Sequence, residues 1–203
     1  EVLVTDTEQW SVAYRYPDFT DANQRLPVLH NGLGIASHDR SRMLWAELPT
    51  ISPPNELYVF DVLGGPSDAT PTAKLVPLHD WETYFIRSNL AISGDGSRLM
   101  HRGEVYGANY QYVGSVAARN IWFVPSLSWR GTRAAVYNND TDELTLYDVS
   151  LIGKFSSLGV IDTFSEDVVT LQLMYHPTDA ALFVWGARTG AGENYRLFVR
   201  EVP

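Results

Sequence analysis

Apolar and polar positions alternate along this chain in short bursts, and the bursts recur. Residues 143–150 read ELTLYDVS, residues 56–62 read ELYVFDV, and the first seven residues read EVLVTDT. Each opens on Glu, alternates for a few positions and reaches Asp, the period-two pattern of a strand with one buried face. A second phrase recurs between them. SHDRSR at 37–42, SGDGSR at 93–98 and SWRGTR at 128–133 align without a gap as Ser-x-(Asp/Arg)-x-(Ser/Thr)-Arg, and each lies between two short apolar stretches. This predicts strand, tight polar turn, strand, with Gly and Asp at the left-handed turn positions. HPTDAALFVW at 176–185 is a weaker fourth copy.

The turn phrase and the acidic phrase supply three strands per unit, a, b and c, recurring at intervals of about 35 to 56 residues. A fourth strand, d, is predicted at 10–16, 73–78, 118–124 and 156–162. In the third unit, NYQYVGSV at 109–116 is predicted as strand c because it keeps the alternation, although it lacks the acid. Four antiparallel strands per unit at this period predict an all-β chain, a β-propeller with about four to five blades present. The expected pieces are 1–31, 32–78, 88–124, 125–162 and 170–203, within a single domain or propeller fragment.

These residues also carry a family resemblance. SGDGSRL resembles the turn of TolB-like and WD40-like propeller repeats, and LYVFDV and LTLYDVS are similar to the third-strand phrase that ends in Trp-Asp in WD40 blades. Here Phe60-Asp61 and Tyr147-Asp148 stand in place of Trp-Asp. The resemblance implies a fold and leaves the function open. On this reading the chain opens with c and d of one blade and closes with a, b and c of another. Two arrangements follow: a small closed ring in which the first strand changes register to complete the last blade, or a larger ring whose remainder comes from elsewhere. The second is the expected one, with another protein chain as partner.

Composition narrows the partners. In 203 residues there are 24 acidic and 15 basic side chains, a net charge of −9, and only Lys74 and Lys154 are lysines. A nucleic-acid binder needs a clustered basic face, and none is visible. There is no cysteine, hence no disulfide, thiolate nucleophile or cysteine-ligated metal. No apolar run is long enough for a transmembrane helix, so no membrane insertion is expected. The expected location is the periplasm or the cell exterior of a bacterium.

Candidate chemistry sits in the predicted loops, where rigid strands position variable residues. His79-Asp80-Trp81-Glu82 places an imidazole, two carboxylates and an aromatic platform side by side, and His30 lies in the long 17–32 loop. These five are the candidate ligand-binding residues, for a small ligand or a sugar. The bland account is a Trp packed between blades with solvated polar neighbours. His30, His79, His101 and His176 would have to converge from different blades to hold a metal, and no spacing demands it; no metal or other cofactor is expected. NNDTDE at 138–143 lacks calcium-loop spacing and is predicted as a hairpin turn. No G-x-S-x-G elbow is present, and GARTGAG at 186–192 lacks the phosphate-loop Lys. The recurring acids Asp6, Asp61 and Asp148 are predicted to accept backbone N–H bonds from the turn that follows. With no catalytic residues assigned, the expected function is a non-catalytic protein-binding or scaffolding propeller module within a larger assembly. The alternative is an enzyme or carbohydrate-binding propeller with its site at the channel mouth.

Overall fold

The computed structural model describes residues 3–6, 11–15, 32–39, 41–47, 57–61, 73–76, 90–116, 123–164, 168–188 and 195–202. Every regular element among them is a strand, and the strands group in chain order. A two-stranded pair joins β1 (Leu3–Asp6) to β2 (Ser11–Arg15). Three four-stranded antiparallel sheets follow: β3 (Gly32–Ala36) to β6 (Ala73–Leu75) through β4 (Arg42–Glu47) and β5 (Leu57–Asp61); β7 (Leu90–Ile92), β8 (Leu99–His101), β9 (Glu104–Tyr106) and β10 (Tyr112–Ser115); and β11 (Phe123–Leu127), β12 (Arg133–Asn138), β13 (Glu143–Asp148) and β14 (Ser156–Thr163). A three-stranded sheet, β15 (Val168–Tyr175), β16 (Ala181–Arg188) and β17 (Tyr195–Glu201), ends the series. Each sheet is a meander in which sequence neighbours are hydrogen-bonded neighbours.

The sheets stack face to face. β3 packs on β7, β7 on β11 and β11 on β15, so the first strand of each sheet meets the first strand of the next. Three cores fill the gaps. Leu44, Leu57, Val59 and Val76 meet Leu90, Leu99, Tyr106 and Tyr110. Ala91, Met100, Val105 and Val113 meet Phe123, Leu127, Ala134 and Val136. Val124, Ala135, Tyr137, Leu144 and Leu146 meet Leu173, Tyr175, Leu182, Val184 and Phe198. Alternation therefore sends one half of β12 to the core before it and the other half to the core behind it, and Ala134 through Tyr137 are all buried. At about 1.5–3 kcal/mol for each large aliphatic or aromatic side chain buried, these faces are the main force joining sheet to sheet.

The third unit departs from its expected strand order. His101 and Glu104 pair directly, joined by Arg102 and Gly103, both at positive φ (49° and 85°). That is the backbone of a two-residue hairpin turn. The turn brings strand c in at once, as Glu104–Tyr106, so Tyr112–Ser115 is strand d and not c. The strand d predicted at 118–124 is corrected accordingly: Phe123 and Val124 belong to β11, the first strand of the next sheet. The other expected strands d correspond to β2, β6 and β14.

Candidate functional site: the array of repeated turns

The Ser-x-Asp turn closes on itself through its own side chains. Ser93 Oγ donates to Asp95 Oδ1 (2.8 Å) and accepts from the Arg98 backbone N–H (2.9 Å), while Ser97 N donates to the same carboxylate oxygen (2.9 Å). The first copy repeats the arrangement: Ser37 Oγ donates to Asp39 Oδ1 (2.7 Å), Ser41 N donates to Asp39 Oδ1 (2.9 Å), and Arg42 N donates to Ser37 Oγ (3.0 Å). In the third copy Arg130 replaces the Asp, and Ser128 Oγ still accepts from Arg133 N (3.0 Å). In the fourth, His176 stands in the Ser position and its Nδ1 takes up Thr178 Oγ1 (2.7 Å) and Thr178 N (3.2 Å). Position four of the turn is left-handed in every described copy: Gly96 (φ 66°), Gly131 (φ 64°) and Asp179 (φ 58°). Burial raises the pKa of the Asp39 carboxyl, but hydrogen bonds from Ser37 and Ser41 and the Arg42 charge outweigh it and hold it below its ordinary value.

The four turns are also bonded to one another. Asp39 N donates to Gly94 O (2.9 Å), and Asp95 N donates to Trp129 O (2.9 Å). Trp129 N then donates to Asp179 Oδ1 (2.7 Å). The Arg that ends each of the first two phrases reaches across as well. Arg42 Nη1 donates to Gly96 O (2.7 Å), and its Cζ lies 5.3 Å from the Tyr110 ring centre. Arg98 donates to Gly131 O (3.2 Å), Ser150 O (3.3 Å) and Val149 O. A planar cation with several donors suits this cluster of carbonyls. The phrase that closes one hairpin is thus also the clasp between successive sheets.

The residues at position two vary and converge. The Trp129 ring lies over Gly94, where a Cβ would come within 2.5 Å of Cε3, and continues to His38, at 6.0 Å between ring centres. His38, Arg130 and Thr178 are exposed and Trp129 is half-buried. His38 and Trp129 form an aromatic surface, with Arg130 exposed in the same turn as Trp129, on a frame whose own polar groups are used internally. Aligning the turns in the sequence supplies the signal for this convergence, because residues at one register of a repeat fall at one level of a stack.

The five candidate ligand-binding residues, His30, His79, Asp80, Trp81 and Glu82, lie outside the described residues. The described histidines serve other ends. His101 is fully buried in the β8–β9 hairpin opposite Glu104, itself buried and accepting from Tyr106 Oη (2.7 Å). His176 holds a turn and packs edge-on to Phe183. Among the described residues no group of three or more His, Asp or Glu side chains is placed to hold a metal ion. NNDTDE forms the expected hairpin turn, with Asp140 N bonded to Asn138 Oδ1 (3.0 Å) and Tyr137 Oη to Asp142 Oδ1 (2.8 Å). Asp148 Oδ1 accepts from Ser150 N (2.8 Å), as anticipated for the recurring acid, and the Ser150 bonds lower its pKa. The side chains of Asp6 and Asp61 lie outside the described residues. No helix among the described residues is long and apolar enough to cross a membrane.

No protein-family model matches the chain, and no curated protein matches it. Solved structures do. The β-propeller domain of Swd1 from Myceliophteria thermophila aligns with a TM-score of 0.55 at 14% identity, over 85% of this chain and 52% of that one. TolB from Acinetobacter baumannii aligns at 0.53 and 10% identity, over 83% of this chain and 40% of that one. The β-propeller domain of the trilobed protease from Pyrococcus furiosus aligns at 0.51 and 13% identity, over 84% and 55%. The chain spans about half the length of these structures or less. Meandering four-stranded sheets, stacked first strand to first strand and clasped by a repeated turn, give this chain the fold of a β-propeller resembling those of TolB and the WD40 proteins.

Proposed function

We propose that the chain is a non-catalytic propeller module that binds another protein, in the periplasm or outside the cell, and that the turn array is part of its binding surface. The observation that carries this reading is the division of labour within the turn. Ser, Asp and Arg are engaged in the frame, while the register beside them carries His38, Gly94, Trp129 and Pro177, different in every copy. A constant frame presenting variable side chains is what recognition requires, whereas catalysis would require reactive groups held free of structural bonds. A net charge of −9 favours a basic or neutral protein surface as the partner. Placing a photo-crosslinking amino acid at Arg130 and recovering adducts from the native source tests this. One dominant protein adduct, lost when Trp129→Ala is added, is the expected result. A diffuse ladder, unchanged by Trp129→Ala, would remove the array from the binding surface.

A second reading keeps the loop cluster of His30, His79, Asp80, Trp81 and Glu82 as a site for a small ligand or sugar. Its support is the structural likeness to hydrazine synthase from Kuenenia stuttgartiensis (TM-score 0.55, 13% identity, 91% of this chain and 53% of that one), an enzyme in which this type of fold occurs. Saturable oligosaccharide binding that Trp81→Ala abolishes would favour it.

A further inference from the structure

The loop that joins β13 to β14 exposes two large aliphatic side chains in succession: Leu151 is 63% and Ile152 67% exposed. Single exposed apolar residues are ordinary, but reverse turns are normally built from small and polar residues, and an adjacent Leu-Ile pair there is not. The turn sets no demand for them. Lys154 N donates to Leu151 O (3.1 Å), and Gly153 in the third place, at φ 69°, is the residue a type II turn requires.

The tip is also fixed in place. Ser150 N donates to Asp148 Oδ1 (2.8 Å), Gly153 N donates to Val113 O on β10 (2.9 Å), and Arg98 donates to the Ser150 carbonyl (3.3 Å). On one side of it Val149 is fully buried. On the other, Phe155 packs against the core between β7–β10 and β11–β14, so close to Gly114 that a Cβ there would come within 2.7 Å of its ring. The corresponding loop one sheet earlier, at 107–111, does the opposite. Arg42 reaches its Ala108 carbonyl (3.4 Å) as Arg98 reaches Ser150, yet its one large apolar side chain, Tyr110, is buried while Ala108, Asn109 and Gln111 face solvent. The outward pair is thus particular to the β11–β14 sheet and is not a demand of the repeat.

We propose that Leu151 and Ile152 form an aliphatic knob that enters an apolar pocket of the chain's protein partner, and that Lys154 meets a carboxylate at the rim of that pocket. The inference rests on the reading of the chain as a protein-binding module and names the kind of surface it binds. Two observations select this occupant. Arg98 ties the loop to Gly131 in the turn array (3.2 Å), so knob and array are parts of one rigid surface. Lys154, one of two lysines in a chain of net charge −9, stands exposed beside the pair, and the carboxylate that precedes it, Asp148, is turned onto Ser150 N. A fixed knob loses little freedom on docking, which is how a small apolar contact becomes a strong one. A lipid surface fits less well, because shallow insertion into a membrane is ordinarily backed by a polybasic patch, and this loop carries a single cation in an acidic chain.

An aliphatic diazirine amino acid in place of Leu151, and separately a photo-crosslinking residue in place of Arg130, tests this in the native source. The expected result is one protein captured from both positions, joined to the Leu151 position through its own aliphatic or aromatic residues. That protein, purified, is then titrated against the chain by calorimetry. Leu151→Ser with Ile152→Ser is expected to weaken binding at least tenfold without altering the far-ultraviolet circular dichroism, and Lys154→Glu at least threefold. Val160→Ser, at an exposed position further along β14, is expected to leave it unchanged. Capture at Arg130 with none at Leu151, or an affinity indifferent to the Leu-Ile pair, would overturn the knob and leave the turn array standing. Capture of one protein at Leu151 with a diffuse ladder at Arg130 would remove the array and keep the knob, and diffuse labelling from both would overturn both. Cosedimentation with vesicles of phosphatidylcholine and phosphatidylglycerol, lost in the Leu151/Ile152 variant, would overturn the proposal in favour of a lipid surface.

Discussion

Gly131 shows how much a single position in the repeated turn has to satisfy. Its φ of 64° is left-handed, and a Cβ there would lie 2.8 Å from Arg98 Cβ, the side chain clasping it from the preceding turn. Gly153 has nearly the same φ, 69°, with nothing within 4 Å of the same point. The pair separates backbone strain from collision. Gly153→Ala is expected to cost about 1 kcal/mol, the usual penalty for a side chain in this region. Gly131→Ala is expected to cost about 2–4 kcal/mol, because Arg98 must also give way. Chemical denaturation of the two variants checks the ranking, and equal losses would show that the clasp yields without resistance.

A strand or a turn here does two jobs, and the second is invisible within one element. The Ser-x-Asp phrase is legible as a hairpin turn from its own residues, because short polar side chains and Gly favour such turns wherever they occur. That its Arg leaves the hairpin to bind carbonyls of the next sheet is not legible. Arg98 meets Gly131, Val149 and Ser150, residues 33 to 52 positions away. Arg98→Ala is expected to cost about 2–3 kcal/mol, since several carbonyls lose a charged donor together. Arg98→Lys is expected to recover less than half, because one ammonium cannot span the cluster. Urea melts measure both, and hydrogen exchange at the Gly131 amide shows whether the loss is local to the clasp. The misplaced strand of the third unit has a similar origin. The two-residue turn at Arg102-Gly103 is a recognisable signal, but the alternation in NYQYVGSV placed the third strand at 109–116.

For the whole molecule, net charge and apolar faces act in opposite directions on association. At −9 per copy, two chains repel, while Met174, Leu197 and Val199 leave apolar surface on the β15–β17 sheet. Raising salt screens the repulsion, since the Debye length falls from about 30 Å at 0.01 M to about 3 Å at 1 M. Any self-association through that surface is therefore expected to tighten severalfold as sodium chloride rises from about 0.05 M to 0.5 M. Sedimentation at a series of salt concentrations checks the sign, and weakening with salt would mean that charge pairs dominate the contact.

Local chemistry made the repeat, the strand class and the closing turns readable from the residues alone. Alternation fixes which side chains share a face, and Ser, Asp and Gly at fixed offsets fix where the chain reverses. The order of sheets and the d strands of three units followed from the same periodicity. Three things depended on tertiary structure: the bonding of the turns to one another, the convergence of His38, Gly94 and Trp129, and the open face at Trp185. Each sets side by side residues that are distant in sequence, and their distance is decided by how one sheet packs on the next. The candidate cluster at His79 to Glu82 was legible only as composition, because a function for it requires a geometry that adjacency along a loop does not specify. Alternation shows that Trp185 and Tyr137 occupy one register, but only the stacking decides that Tyr137 is covered and Trp185 is not.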